Sequence, residues 1–385
     1  MVIKTITCHD VNNYGASLQA YALQKYLQQQ GYDVEIIDYL PIYKTNRLNF
    51  FEYNRTQGRL NKIVQRIPFI KPLIGLYDHL RVPEHRQDFL FYKKKKAFNL
   101  FKKDKLICTN YVYRDIEDLK TVVPQADTYI AGSDQIWNVY ARNGQDPAYY
   151  CDFAPENSRC ISYAASFGTS DIPHDFKDFV SQHLKRFNSI SVREKSGVSI
   201  VRDLGYQAIE VLDPVFLLQH KEWEKLCKCH HREKYLLVYD IDMNHPEVKK
   251  LSERIAKENN WKIYSINDFK LCPYADYNIN NAGPVEFIEW IRDAQFIICT
   301  SFHGTAFSVI FNKQFYTFPL YKQNNNSRME DFLVRISLSN HFVMKEVDNI
   351  DIIDYTKIND IIQQLVRKSQ IWLNDNITTQ KSLSR

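Results

Sequence analysis

The chain has 385 residues, 44% of them apolar, enough length and core for two domains. Fifty Lys and Arg against 45 Asp and Glu give a net charge of +5, too small an excess for wholesale nucleic-acid binding. It suits an anionic substrate or a surface drawn to anionic lipid headgroups. Eight cysteines lie scattered without a disulfide framework, and no run is apolar enough for a signal peptide or a membrane span. A cytosolic protein with reduced thiols is therefore expected. Cys227, Cys229, His230 and His231 cluster, but lack the second half of a zinc-finger spacing. The aromatic content of 14% reads mainly as core.

Residues 2–8 read as a strand, followed by the polar loop HDVNNYG. Leu18, Ala22, Leu23, Tyr26 and Leu27 then fall at helical spacing over about 16–30. Gly31 stops that helix and 32–39 return as a strand, so the chain opens with a βαβ unit and a parallel sheet. From about 41 to 120 the sequence turns rich in Lys, Arg, Phe and Tyr with helical periodicity, which predicts a helical insertion in the first domain. Its run Lys93, Lys94, Lys95, Lys96 reads as a solvated helix face. Contact with a membrane-associated acceptor or its pyrophosphate is the sharper reading.

The α/β alternation then resumes. Strands at 128–131, 160–165 and 189–192 run into GSDQIWN, SFG and REKSG, and such carboxyl-end loops line the ligand crevice of an open parallel sheet. A second series follows, with strands at 235–239, 261–266, 296–299 and 315–318. Helices are expected after His245-Pro246, over about 284–292 and over about 305–311. The fold class expected is α/β, with two Rossmann-like domains facing a cleft. The domains are placed at 1–218 and 219–356, and 357–385 carries a helix that crosses back to the first domain.

The segments NYGASLQAYAL, AGSDQIWN, YAASFG, SVREKSG, VLDPVFLL and TSFHGTAFSVIFNKQF, in this order, resemble the polysaccharide pyruvyl transferase family. The resemblance implies a GT-B-like architecture and phosphoenolpyruvate as donor, a co-substrate rather than a bound cofactor. It implies transfer of pyruvate onto sugar hydroxyls of capsular, exopolysaccharide or cell-wall glycans, commonly as a cyclic ketal. Family habit suggests galactose in a lipid-linked repeat unit as acceptor. The partners expected are thus the donor, a sugar or lipid-linked oligosaccharide, peripheral contact with the inner membrane surface, and no nucleic acid.

Residue by residue, the resemblance makes Arg193 of the S-x-R motif a donor-binding arginine and His303 of S-x-H-G a donor-binding and catalytic histidine. Arg328 fits an arginine that follows the last domain strand. The opening loop departs from the family, with only Gly15 behind Asn12, Asn13 and Tyr14, and is assigned to the acceptor.

The donor carries a phosphate and a carboxylate, and the planar fork of an arginine matches either. Arg193 precedes a helix expected from about Lys195, whose first amides add donors; the alternative is a structural pairing with Glu194. Ser301, Gly304 and Thr305 accompany His303 as the second donor loop, Gly304 for close backbone approach and the Thr305 amide at a helix start. Protonation of the donor methylene makes the adjacent carbon electrophilic for a sugar hydroxyl, and a histidine suits that proton. Asp134 is read as the hydroxyl's base, with helix capping as its rival role. Trp137 reads either as a platform for the acceptor ring or as core, with Gln135 and Asn138 bonding hydroxyls. Asp213-Pro214 reads as a structural turn. The scheme calls for no divalent metal. Two rivals stay open: a glycosyltransferase with a nucleotide-sugar donor, and a sugar- or anion-binding protein without turnover.

Overall fold

The computed structural model describes residues 1–45, 91–241, 243, 245–321, 327–345 and 347–378, so residues 46–90 of the expected insertion lie outside the described part. Strand β1 (Val2–Ile6) leads to helix α1 (Tyr14–Gln29), which starts where Asn13 Oδ1 accepts from the Ala16 amide at 3.0 Å. Gly31, at φ +86°, supplies the left-handed turn that ends it. Strand β2 (Asp33–Tyr39) then pairs in parallel with β1, Ile3 opposite Val34. Helix α2 (Tyr92–Lys105) precedes β3 (Cys108–Tyr113), β4 (Thr128–Ala131), β5 (Arg159–Ala165) and β6 (Ser189–Val192). Helix α3 (Lys195–Asp203) and β7 (Ile209–Glu210) complete a seven-stranded parallel sheet of order β3-β2-β1-β4-β5-β6-β7.

The second sheet contains β8 (Tyr235–Tyr239), β9 (Lys262–Ile266), β10 (Tyr277–Ile279), β11 (Phe296–Cys299) and β12 (Gln314–Thr317). It is also parallel, in the order β10-β9-β8-β11-β12. Helix α4 (Pro284–Asp293) precedes β11, α5 (Phe302–Ile310) follows it, and α6 (Ser327–Arg335) follows β12. Every residue of β8, YLLVY, is buried, as strands covered by helices on both faces require. The expected α/β class, two Rossmann-like sheets with a shared cleft in a GT-B-like arrangement, is present.

Three findings refine the expectation. Residues 108–113 lie within the expected helical insertion yet form β3, an edge strand in which only Tyr113 is fully buried, so it carries little apolar alternation. Lys94 is not solvated with its neighbours but only 3% exposed. Its Nζ donates to the Asn267 carbonyl at 3.0 Å, pairs with Asp268 and sits 4.5 Å from the Tyr14 ring centroid, so α2 spans both domains. Finally, helix α7 (Tyr355–Ile377) starts two residues before the expected C-terminal segment 357–385. It packs on the first sheet, where Ser369 Oγ accepts from the Leu212 amide and Thr128 Oγ1 donates to the Ile377 carbonyl, both at 2.9 Å.

One apolar core runs across both domains. At its junction Tyr14 stacks on Phe287 with ring centroids 4.4 Å apart and donates its hydroxyl to the Ala282 carbonyl at 3.0 Å. Among the described residues no helix is long and apolar enough to cross a membrane.

Candidate active site

In each sheet the strand order reverses beside the first strand, between β1 and β4 and between β8 and β11. Chains leaving such a pair diverge and open a crevice at the carboxyl ends. The two crevices meet in one cavity of about 90 Å³. Asn13 and Gly15 line it from behind β1, Asp134 and Gln135 from behind β4. Tyr239 ends β8 and Ile241 follows it, Ser301 and His303 come from behind β11, and Arg328 from α6. Gln19 ties the two first-domain loops together: its amide donates to Thr7 Oγ1 at 2.9 Å and accepts from the Ser133 N–H at 3.0 Å.

The charges behind this cavity form a single network. Asp213, 1% exposed, stands on the connection between the sheets. Its Oδ1 accepts from the Val215 amide at 3.1 Å and so builds the turn at Pro214. Its Oδ2 accepts from Arg193 Nη1 of the first domain at 2.8 Å and lies 3.5 Å from His303 Nε2 of the second. Burial alone would raise the Asp213 carboxyl, but His303 and then Arg193 hold it at about 2. Arg193 also reaches Asp134 Oδ1 at 3.5 Å and lies over the Phe302 ring, 4.7 Å from its centroid. Burial works against the Arg193 charge, yet Asp213, Asp134 and Glu194 together raise its pKa.

A second guanidinium, that of Arg328, joins the network and faces the cavity. With the Gln135 amide oxygen turned towards it, Arg328 donates from Nη1 and Nη2 at 2.9 and 3.0 Å. Burial, and next the nearby Arg193, push Arg328 down to about 10, so it stays charged at neutral pH. Burial pushes the Glu194 carboxyl up despite Arg193 and Arg328; its Oε1 accepts from the Phe167 amide at 2.9 Å. Arg193 Nε, Arg328 Nε, His303 Nε2 and Glu194 Oε2 are buried without a hydrogen-bond partner. Groups left so at one place are costly in a structural network and ordinary in a binding site.

A family model described as polysaccharide pyruvyl transferase matches residues 13–320, a span that carries all these groups except Arg328. The chain belongs to this family. No curated protein matches it in sequence. Among solved structures, S. aureus MnaA in its co-structure with UDP aligns at TM-score 0.47 and 10% identity, over 98% of this chain and 91% of that one. The spinosyn forosaminyltransferase SpnP aligns at TM-score 0.46 and 8% identity, over 96% and 95%. The UDP-GlcNAc 2-epimerase of Neisseria meningitidis bound to UDP-GlcNAc aligns at 0.44 and 9%, over 98% and 95%.

Against the roles implied by the pyruvyl transferase resemblance, the geometry sorts the residues. His303, Ser301, Asp134, Gln135, Asn13 and Arg328 line the cavity. Arg193 does not: its side chain is 1% exposed and stands behind the wall, held by Asp213. Trp137 is wholly buried, stacks on Tyr150 at 5.5 Å and donates Nε1 to the Tyr149 carbonyl, so it is core and offers no face to a sugar. Tyr14 touches the cavity, but its ring and hydroxyl are spent on the domain junction, which removes it as an acceptor ligand.

Asn12 is exposed outside the cavity lining, and Asn138 caps a turn by accepting from the Tyr140 amide. No helix starts at Ile136, which leaves Asp134 without the capping role; it sits at φ +69° on a loop bound to β5. Helix α5 begins at Phe302, three residues earlier than expected, with Ser301 Oγ as cap on the Gly304 amide. The Thr305 amide is therefore consumed by the Ser301 carbonyl at 2.9 Å, and Thr305 is fully buried rather than a phosphate ligand. Gly304 serves packing instead of ligand approach, since a Cβ there would meet Cys299 at 3.2 Å.

The sequence reading missed two residues. Asp213 was assigned to a turn alone, although an acid inside the apolar run VLDPVFLL needs buried partners. Gly15 was given no partner, whereas its Cα abuts the His303 imidazole. Cys227, Cys229, His230 and His231 do not converge; His231 stacks on Trp290 instead. Among the described residues only His9, Asp38 and Cys108 bring potential ligand atoms within 4.8 Å of one another. There Lys102 Nζ lies on Asp38 Oδ1 at 2.9 Å, a cation where a metal would sit, and the group reads as a buried ion-pair network.

Proposed function

We propose that the protein transfers the pyruvyl group of phosphoenolpyruvate to two hydroxyls of a sugar, releasing phosphate and closing a cyclic ketal. The observation that carries this reading is that Arg328 and His303 line the cavity where both crevices meet, with Arg193 directly behind its wall, each with a buried unpartnered N–H or ring nitrogen. Such a set suits a small, highly charged anion. The cavity itself is small, about 90 Å³, and polar groups from both domains face it, as a compact anion requires.

Arg328 and the Phe302 and His303 amides at the start of α5 would hold the donor's charges, and Arg193 would reinforce them from behind. His303 would give its proton to the methylene carbon, turning it into a methyl group. The neighbouring carbon then takes a sugar hydroxyl, whose proton passes to Asp134, across the cavity from His303. Cleavage of the carbon–oxygen bond releases phosphate, and a second hydroxyl adds to the resulting oxocarbenium. Of the two hydroxyl protons, one balances that given to the methyl group and the other ends on phosphate. A galactose in a lipid-linked capsular or exopolysaccharide unit, presented at the cytoplasmic face of the membrane, is the acceptor proposed.

The test is release of phosphate from phosphoenolpyruvate with a panel of sugar acceptors, with mass spectrometry for the pyruvylated product. Arg328→Ala is expected to keep the fold and raise the donor KM by roughly thirty-fold or more, the scale of a lost charged hydrogen bond. A melting-temperature shift with UDP- or GDP-sugars and none with phosphoenolpyruvate would replace this reading with a glycosyltransferase.

A further inference from the structure

Helix α2 has an inner face with an assigned task and an outer face without one. Lys94, Phe98 and Phe101 are buried at the domain junction. On the opposite side Tyr92 is 64% and Leu100 48% exposed, and Lys93, Lys95, Lys96 and Lys103 are exposed around them. At 100° per residue, Tyr92, Lys96, Leu100 and Lys103 fall within about 80° of one another, with Lys93 and Lys95 on the flanks. None of these four lysines has an acidic partner among the described residues, and Asp104 is the single acid on the exposed side of the helix.

We infer that this face docks on an anionic lipid bilayer. Lysines near an anionic surface each strengthen partitioning by roughly five-fold, so four supply on the order of several hundred-fold. Lysine stems lie along the interface while their ammonium groups reach the headgroups. The apolar part of the stripe selects the partner: Tyr92 and Leu100 gain from burial at the headgroup boundary, whereas a nucleic-acid backbone rewards the charges alone. The placement also has a use, which rests on the proposed lipid-linked acceptor. Lys94, on the inner face, lies against Tyr14, and Tyr14 borders the cavity. A bilayer on the outer face therefore lies about one helix diameter, roughly 10 Å, from the cleft wall.

The full-length protein would be sedimented with phosphatidylcholine vesicles, with and without a third of phosphatidylglycerol, at low and high salt. Binding is expected on the anionic vesicles alone and lost at high salt. Lys96→Glu with Lys103→Glu should weaken it by more than about 25-fold, and Leu100→Ser should weaken it with no charge changed. Melting temperature should be unaltered by these surface changes. Absence of binding to anionic vesicles at low salt, binding indifferent to the variants, or equal binding to duplex DNA would each overturn the inference. The melting-temperature shift with phosphoenolpyruvate is read on the same samples, so failure of the docking surface is separable from failure of the donor assignment.

Discussion

Asp213→Asn is expected to lower folding stability by about 3–5 kcal/mol at neutral pH, the cost of leaving a buried cation without its partner. Asparagine has nearly the same volume, and its carbonyl can still accept from the Val215 amide, so the Pro214 turn survives and the loss reports the charge. What is lost is the anion shared by Arg193 and His303, across the junction of the two domains. The pH dependence follows from the depressed carboxyl, about 2 in the folded protein against roughly 3.9 in an unfolded chain. A group depressed by folding stabilises fully above its unfolded pKa and ceases to do so as pH falls through its folded one. Urea unfolding of both proteins should thus show a gap that shrinks as the pH falls below about 4. A gap under about 1 kcal/mol at pH 7, the scale of an exposed pair, would mean Asp213 does not anchor the network.

The order of the elements was legible because β4, β5, β8 and β11 are apolar runs ended by polar loops, the signature of strands buried on both faces. β3, at the sheet edge, and β7, with just two residues, lack that signature. The burial of Lys94 was present in the spacing: with Phe98 and Phe101 it follows i, i+4, i+7, one face of a helix, and the lysine run around it masks the pattern. Loop position at strand ends, together with the family resemblance, pointed to His303 and Asp134, which line the cavity, and to Arg193, which the same signal could not distinguish from a residue behind its wall. Asp213 was not, since its partners stand 20 residues before it and 90 after it, and only the meeting of two domains brings them together. Trp137 shows the converse limit: a tryptophan beside a site loop carries no mark of which way its ring turns, and here it turns into the core.

Gly15→Ala is expected to cut kcat/KM by about 100-fold or more while leaving the fold intact. Within a helix this exchange ordinarily stabilises by about 0.5–1 kcal/mol, so a glycine near the start of α1 calls for a reason. The reason is His303. A Cβ on Gly15 would lie 1.9 Å from His303 Nδ1 and 2.3 Å from Cε1, where 3.4 Å or more is ordinary contact. The imidazole must then retreat by about 1.5 Å, enough by itself to disrupt a catalytic geometry. Its lost contact with Asp213 adds to the displacement. Circular dichroism and melting temperature should stay near wild type, which separates a displaced side chain from an unfolded one. The decisive comparison is a double-mutant cycle with His303→Ala. If Gly15 acts through the imidazole, Gly15→Ala costs little more once the ring is gone. Losses that simply add would show that the two residues serve the reaction independently, and the contact between α1 and His303 would then be packing alone.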